Sequence, residues 1–318
     1  MKKQIFGVIA AAGLAVAGTH AYAGGVLDTG IIKMGVGDHG GLGFGGVGLS
    51  YLANGDVITP GCLCEGWGAA ADGTGSYVYG ASSNSGIASS VYSSTTATDA
   101  VSTTVLTNGM TVTHTYSSAA GGNLFKVAVS IDNTSGAAVT DVRYSRTLDW
   151  DVPPGHFSDD FTTIYGGTAA GPGGDVLHTS FNPFAAPDPM ALRGTYGGVS
   201  ADTNGVDATG DLGAYFILAF GDLAAGESHD FTTYIGADSS VSALLADFAV
   251  VGIEAYSYSY DNDGDTTYGW GFSDVGLPPV FDDPNDDSSD VPEPASIVLL
   301  GLGLAGLGVA RRRKTKTS

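Results

Sequence analysis

The most concentrated set of potentially reactive side chains lies in the stretch LDWDVPPGHFSDD, residues 148–160. Its ionisable residues are Asp149, Asp151, His156, Asp159 and Asp160. Counting alternate residues along a strand places Asp149 and Asp151 on one face, together with Arg143. Paired carboxylates near a histidine could bind a divalent cation such as Ca²⁺ or share acid–base chemistry. The alternative is a solvent-exposed face whose charge is balanced by Arg143 and Arg146.

A second acidic stretch, DNDGDTTYG, begins at residue 261. Asp261, Asp263 and Asp265 alternate as in the opening of a calcium-binding loop. The stretch then departs from that pattern, because glycine falls at the fourth position and Phe272 stands where a bidentate carboxylate is required. A polar hairpin turn is the alternative. These residues are therefore a weaker candidate for a metal site.

The elements that must position these residues are mostly strands. Two alternating runs flank Asn108-Gly109, the strongest local signature of a β-hairpin. The run NLFKVAVSI and the run 139–150 read as further strands, and GAYFILAF (213–220) is apolar on both faces, as a central strand would be. A second hairpin is predicted to join 256–260 with 268–272. Only Val241 to Phe248 has a helical pattern.

Two stretches are similar to the Ig-like β-sandwich repeats of bacterial surface proteins: VAVSIDNTSGAAVTDVRYSRTLD (127–149) and GDLAAGESHDFTTYIG (221–236). We therefore expect a mainly β protein, an elaborated antiparallel β-sandwich with one short helix and a C-terminal apolar helix. Such modules commonly serve as spacers or binding surfaces. The segment 153–209 is too long for one ordinary sandwich loop and should add strands or functional loops.

The N-terminus has the three parts of an export signal. Lys2 and Lys3 precede an apolar run, and Ala21-Tyr22-Ala23 forms a small-x-small cleavage site. We expect signal peptidase to cleave there, so that the mature chain begins at Gly24. In an oxidising compartment, the only two cysteines, Cys62 and Cys64, are expected to form a local disulfide. Free or intermolecular thiols and a metal site are the alternatives.

The C-terminus carries three further parts in a fixed order. Pro292, Glu293 and Pro294 precede an apolar run, 295–310, and a basic cluster follows that includes Arg311, Arg312 and Arg313. As a helix the run would rise about 24 Å, which is marginal against a hydrocarbon thickness of roughly 30 Å. This arrangement closely resembles the PEP-CTERM sorting signal of exported Gram-negative bacterial proteins. The resemblance implies recognition by an exosortase, a membrane enzyme that removes the signal; a simple tail anchor is the alternative.

The charge distribution narrows the possible partners. Seven of the twelve basic residues lie at the two ends, which leaves five between Gly24 and Val291 against 32 acidic residues. So acidic a body repels phosphate backbones, and nucleic acid is not expected as a partner. The sequence also contains no Walker lysine motif, no Gly-x-Ser-x-Gly nucleophile elbow and no HExxH zinc motif.

These observations predict five segments: a signal peptide (1–23), a Gly/Ser-rich N-terminal β region (24–99), a β-sandwich domain (100–280), an acidic disordered linker (281–291) and the sorting signal with its short transmembrane helix (292–318). We expect a non-catalytic protein of the cell surface or extracellular matrix, structural or adhesive, without a required cofactor. Extracellular polysaccharide is a possible partner. A secreted glycan-binding module, which would need Tyr256, Tyr258 and Tyr260 to face solvent, and a secreted hydrolase are the alternatives.

Overall fold

The computed structural model describes residues 23–52, 54–119, 123–157, 160–166 and 174–277. The two predicted sorting segments, with Ala21 and residues 292–318, lie outside these ranges, as do the predicted linker, the C-terminal apolar helix and Asp159. Within the described ranges no helix is long and apolar enough to cross a membrane.

The described residues form seventeen strands and one helix. In chain order they are β1 (Gly24–Asp28), β2 (Ile32–Gly37), β3 (Leu49–Tyr51), β4 (Gly66–Ala71), β5 (Thr74–Tyr79), β6 (Ile87–Ser94), β7 (Ala100–Leu106), β8 (Met110–Ser118), β9 (Leu124–Asn133), β10 (Val139–Asp149), β11 (Asp160–Tyr165), β12 (Val176–Ser180), β13 (Ala208–Thr209), β14 (Gly213–Leu223), β15 (Ser228–Asp238), α1 (Val241–Val251), β16 (Ala255–Asp261) and β17 (Thr267–Ser273).

Two large antiparallel sheets face each other. One has five strands in the order β12-β14-β10-β4-β5, and the other has nine in the order β13-β11-β16-β17-β15-β9-β8-β7-β6. Aromatic contacts join their inner faces, including Tyr144 with Phe231 at 5.0 Å and Phe216 with Trp270 at 5.2 Å between ring centroids. The expected antiparallel β-sandwich is confirmed, and its core is the apolar layer between these sheets.

The predicted hairpins and alternation are present where the sequence placed them. β7 and β8 pair across Asn108-Gly109, where Gly109 has φ +86°, a conformation that glycine adopts without strain. In β9, Phe125, Val127, Val129 and Ile131 are all buried, while the intervening side chains are partly exposed. β14 lies between β12 and β10, and both of its faces are covered: Phe216 contacts Trp270 of the other sheet, and Tyr215 donates to backbone carbonyl oxygens of the segment 188–191.

The region 24–99 shares its sheets with the rest of the chain. β4 pairs with β10, β5 pairs with β4, and β6 pairs with β7 across residue 99. A third, three-stranded sheet (β1-β2-β3) contributes Leu27, Met34 and Leu49 to the same core. The N-terminal β region and the sandwich therefore have one common hydrophobic interior.

The Ig-like stretches have a specific place in this architecture. Residues 127–149 run along β9 in the nine-stranded sheet, turn, and continue along β10 in the five-stranded sheet. Residues 221–236 cross between the sheets in the opposite direction, from β14 to β15. The long segment 153–209 supplies β11, β12 and β13 as additional edge-region strands. An Ig-like relationship stays a prediction, although the sandwich is consistent with it.

Helix α1 covers the outer face of the nine-stranded sheet. Ser240 caps its first turn by accepting a hydrogen bond from the Ala243 amide, and Gly252 ends it with φ +72°. Leu244, Leu245 and Phe248 are buried against Tyr256 and Tyr258 on β16. The tyrosine row therefore belongs to a second, smaller core beneath the helix.

Candidate functional site

The ends of two neighbouring strands bring three carboxylates together. Asp149 is the last residue of β10 and pairs with Gly213, the first residue of β14. The Trp150 amide donates to the Leu212 carbonyl oxygen, so the two segments stay side by side beyond the ends of the strands. Two more steps in this antiparallel register place Asp151 opposite Asp211. The site is therefore built by strand pairing rather than by a local loop motif.

One carboxylate oxygen from each of Asp149, Asp151 and Asp211 lies within 4.8 Å of the other two. Asp149 and Asp151 are only 2% and 1% exposed, whereas Asp211 is exposed and opens the cluster to solvent on one side. Asp149 Oδ1 and Asp151 Oδ2 accept no hydrogen bond within the described part of the chain. Buried carboxylate oxygens without donors are costly, so each needs a proton, a water or an ion to offset its burial.

The environment strongly favours the neutral forms of these acids when no cation is bound. Burial, and then the charges of Asp151, Asp211 and Asp160, raise the pKa of Asp149 to about 9. Burial and the charges of Asp211 and Asp160 raise the pKa of Asp151 to about 8. Burial also raises the pKa of Asp211. The cluster therefore resists carrying three negative charges by itself.

The interpretation of this stretch as a solvent face balanced by arginines is wrong. Asp149 and Asp151 are buried, and both arginines are engaged elsewhere. Arg143 donates to Asp141 from Nε at 2.7 Å, and Arg146 pairs with Glu65 at 2.6 Å. The cause is the alternation of β10: Arg146 points to the inner face of the sheet and Asp149 to the outer face. Neither guanidinium neutralises the carboxylates.

A disulfide lies against this cluster. Cys62 and Cys64 are bonded to each other, and Cys62 Sγ is 3.5 Å from Asp149 Oδ2. The Asp151 amide donates to the Val57 carbonyl oxygen, which fixes the beginning of the same segment. The disulfide segment therefore shields the two carboxylates from solvent. Since its sulfurs are bonded to each other, they are poor ligands for a cation.

Two other predicted acids support the backbone near the cluster. Asp160 Oδ2 accepts from the Val152 amide, and Asp261 Oδ2 accepts from the Gly155 amide. Asp160 and Asp261 are direct partners in the β11–β16 register, so they hold the 152–155 segment from adjacent strands. His156 Nδ1 lies 3.0 Å from the Asp151 carbonyl oxygen and does not contact the carboxylates through any described bond. Asp160 and Asp261 therefore have a structural role, because they hold the backbone of residues 152–155 in place.

The second predicted acidic stretch forms the turn between β16 and β17. Asp261 Oδ1 accepts from the Asp263 amide at 2.7 Å, as in an Asx turn. Asp263 and Asp265 are exposed and line an open depression of about 210 Å³ with Pro153 and Pro154. Among the described residues, the metal-compatible acidic group contains Asp211 and not these three acids. A role of Asp261, Asp263 and Asp265 as ligands stays a prediction.

The alternative of stacking sugars on the tyrosine row is wrong as far as Tyr256 and Tyr258 are concerned. Both are fully buried, and the Phe248 ring of the helix lies 5.5 Å from that of Tyr256. Only Tyr260 is partly exposed, and it stacks on Phe161 at 5.2 Å and donates to Asp207. The row serves packing, because a helix covers the face that a sugar would need.

A cavity of about 260 Å³ lies on the other side of the disulfide segment, lined by residues that include His39, Leu63, Glu65, Tyr79 and Asn84. The lining includes Asp38 and Glu65, and the Glu65 carboxylate already accepts from the Leu42 amide and from Arg146. His39 Nδ1 has no hydrogen-bond partner among the described residues.

Asp211 is the site residue that sequence reasoning missed. It lies 60 residues beyond Asp151, and its own neighbours read as an ordinary turn before a central strand. The signal that could have found it is the pairing of β10 with β14, because the register fixes which residues meet beyond the strand ends. The spacing of neighbouring residues in the sequence does not reveal that register.

The fold and the termini define an exported β-sandwich protein. Residues 290–314 match the model of the PEP-CTERM protein-sorting motif, so the chain carries this signal. The motif marks the protein for export, recognition by an exosortase at the membrane, and a final location at the cell surface or outside the cell. No curated protein matches the chain.

Among solved structures, the chain is similar to the galactose mutarotase related enzyme from Lactobacillus acidophilus. The two are 8% identical, and the alignment covers 80% of this chain and 89% of that chain with a TM-score of 0.32. A similarity at this level carries no argument about activity.

Proposed function

We propose that the mature protein is a non-catalytic structural or adhesive component of the cell surface or of an extracellular polysaccharide matrix. The sorting motif supplies the destination. The observation that supports the role is that the residues that would serve catalysis or sugar stacking are buried: Asp149 and Asp151 lie beside the disulfide segment, and Tyr256 and Tyr258 lie beneath helix α1. The acidic body keeps such a protein soluble during export and favours contacts through cations.

The alternative of a secreted hydrolase is disfavoured by the state of the paired carboxylates. A glycosidase needs one ionised and one protonated carboxyl flanking a substrate. Asp149 and Asp151 both have raised pKa values and are almost fully buried. Side chains that are 2% and 1% exposed offer almost no surface to a sugar ring. The pair is therefore better suited to holding structure than to hydrolysis.

The role is tested in the source bacterium with the gene deleted and then restored. The wild-type gene should restore surface retention of the protein and cohesion of the matrix. A variant with Arg311, Arg312 and Arg313 replaced by serine should be made and exported but should not restore cohesion. The matched control is Asp230→Asn, which removes one exposed charge from the body and leaves the signal intact. Unchanged cohesion in the deletion strain would contradict the proposal.

Catalysis is tested separately on the purified exported protein. Incubation with polysaccharide extracted from the same matrix should release no new reducing ends, although the protein should co-sediment with the polymer. Release of reducing ends by the wild type, and its loss in the Asp149→Asn/Asp151→Asn variant, would replace the structural role with that of a hydrolase.

A further inference from the structure

We propose that Asp149, Asp151 and Asp211 form a binding site for a single divalent cation, with Ca²⁺ as the preferred ion. This inference goes beyond the surface role and does not depend on it. The site lies where the end of β10, the two residues before β14 and the disulfide segment 62–64 meet.

The spacing of the oxygens fits one ion. Calcium ligands lie about 2.3–2.6 Å from the metal, so two ligands on opposite sides are about 4.8 Å apart, and neighbouring ligands are closer. The three carboxylate oxygens of the cluster all lie within 4.8 Å of one another. All three can therefore reach a common ion with only side-chain adjustment.

A second observation is independent of the clustering. Asp149 Oδ1 and Asp151 Oδ2 belong to side chains that are at least 98% buried, and neither atom has a hydrogen-bond partner among the residues described. Water and backbone donors satisfy nearly all buried carboxylate oxygens in folded proteins. A bound cation would satisfy both atoms at once.

The local charge also favours a cation. Three carboxylates converge, and the nearest arginines on β10 are paired with Glu65 and Asp141. No lysine or arginine in the described ranges forms an ion pair with Asp149, Asp151 or Asp211. A divalent ion would convert mutual repulsion into attraction.

The donor set selects the class of ion. All available ligands are oxygens, since the neighbouring sulfurs are bonded to each other and His156 Nδ1 is directed at a backbone carbonyl. Oxygen ligands favour Ca²⁺ or Mg²⁺ over zinc or copper. Asp211 leaves one side open to water, and irregular coordination by carboxylates and waters suits Ca²⁺ better than the strict octahedron of Mg²⁺.

Binding would have a mechanical consequence. Asp149 and Asp151 lie at the end of one strand, Asp211 precedes its neighbour, and the disulfide segment rests on Asp149. A single ion would fasten the open end of the five-stranded sheet. The result would be a surface protein that is stiffened by extracellular calcium.

The test uses the full exported protein, purified and stripped with EDTA, and titrated with CaCl₂ or MgCl₂ while binding heat and melting temperature are measured. Wild-type protein should bind one Ca²⁺ per chain, and its melting temperature should rise by several degrees at millimolar Ca²⁺, with a smaller rise in Mg²⁺. A melting temperature that stays constant up to 10 mM Ca²⁺, without binding heat, would overturn the proposal.

Three variants identify the site. Asp211→Asn changes an exposed side chain, so folding should persist while affinity for Ca²⁺ falls at least about tenfold, as expected when ligand charge is removed. Asp149→Asn/Asp151→Asn should abolish the response to Ca²⁺. The matched control, Asp230→Asn, removes an equal charge from the exposed start of β15 and should respond as the wild type does. Wild-type affinity in Asp211→Asn, or equal losses in Asp211→Asn and Asp230→Asn, would overturn the assignment.

Discussion

Two buried charged clusters lie three residues apart on β10, on opposite faces of the same sheet. On the inner face, Arg146 and Glu65 form a pair at 2.6 Å, and both are almost fully buried. On the outer face, Asp149 and Asp151 are equally buried but have only other acids as charged neighbours. One cluster is neutralised within the chain, and the other is not.

The pKa values follow this difference. Burial opposes the charge of Arg146, but the Glu65 carboxylate overcomes it and raises the pKa of the guanidinium; burial raises the pKa of Glu65, and Arg146 and the Leu42 amide act against that rise. At Asp149, burial and neighbouring carboxylates act in the same direction, and only the Trp150 amide acts against them. Equal burial thus produces a structural ion pair in one place and a site that favours a cation in the other.

The largest effect is expected from breaking the neutralised cluster. Glu65→Gln would leave Arg146 as a buried charge without its counterion and remove one of the two oxygens that accept from Arg146 and from the Leu42 amide. The free energy of unfolding should fall by about 3–5 kcal/mol. Urea unfolding at pH 7 measures it. A loss below about 1 kcal/mol would show that Arg146 is not confined to this pair.

The second effect is a pH dependence that comes from the acidic cluster. The pKa of Asp149 is 3.8 in its ordinary state and about 9 in the fold, so the folded chain binds the proton more tightly than the unfolded chain. Stability is then greatest below pH 4 for this group and falls as pH rises toward 9.

In EDTA, the free energy of unfolding should therefore fall between pH 5 and pH 8, by up to about 4 kcal/mol for Asp149 alone at 1.36 kcal/mol per pH unit. Millimolar Ca²⁺ should flatten the profile. Denaturant melts across this pH range in both buffers give the comparison. A metal-free profile that rises with pH would contradict the assignment of Asp149 and Asp151 as repelling acids.

A third effect has the opposite sign to that of Glu65→Gln. Asp149→Asn keeps the size of the side chain and does not have to take up a proton on folding as Asp149 does, so the metal-free protein at pH 8 should gain at least about 1 kcal/mol in free energy of unfolding, the equivalent of one pKa unit. The same urea melts in EDTA measure it. Destabilisation by this variant would mean that Asp149 is satisfied without a cation.

The smallest effect belongs to the surface pair on the same strand. Arg143 and Asp141 are partly exposed, so their attraction is screened by solvent. Asp141→Asn should change the free energy of unfolding by less than about 1 kcal/mol, and asparagine tolerates the positive φ of this position. Urea unfolding of Asp141→Asn and Glu65→Gln under the same conditions compares the exposed ion pair with the buried one. A loss of unfolding free energy as large as that of Glu65→Gln would contradict the distinction between the exposed and the buried pair.

The strands were predictable because their signals are local. Alternation in β9, the Asn108-Gly109 turn and the doubly apolar β14 each depend on a few consecutive residues. The positions of these strands and the buried face of each therefore followed directly from the sequence. The pairing order of seventeen strands did not, since it depends on contacts between distant segments.

The site was predictable only in part for the same reason. Asp149 and Asp151 are neighbours in sequence, and their spacing alone indicated a shared face. Asp211 joins them through the β10–β14 register, and Glu65 reaches Arg146 from 81 residues away. The burial of Tyr256 and Tyr258 depends on helix α1, which precedes them in the chain and folds back over the sheet. Such long-range contacts leave no local pattern.

The most direct test of the central claim is a crystal structure of the exported protein grown with CaCl₂, with anomalous scattering used to locate calcium. The account predicts one peak within about 2.3–2.6 Å of oxygens from Asp149, Asp151 and Asp211. An empty cluster at saturating calcium, or a peak at Asp263 and Asp265 instead, would contradict it.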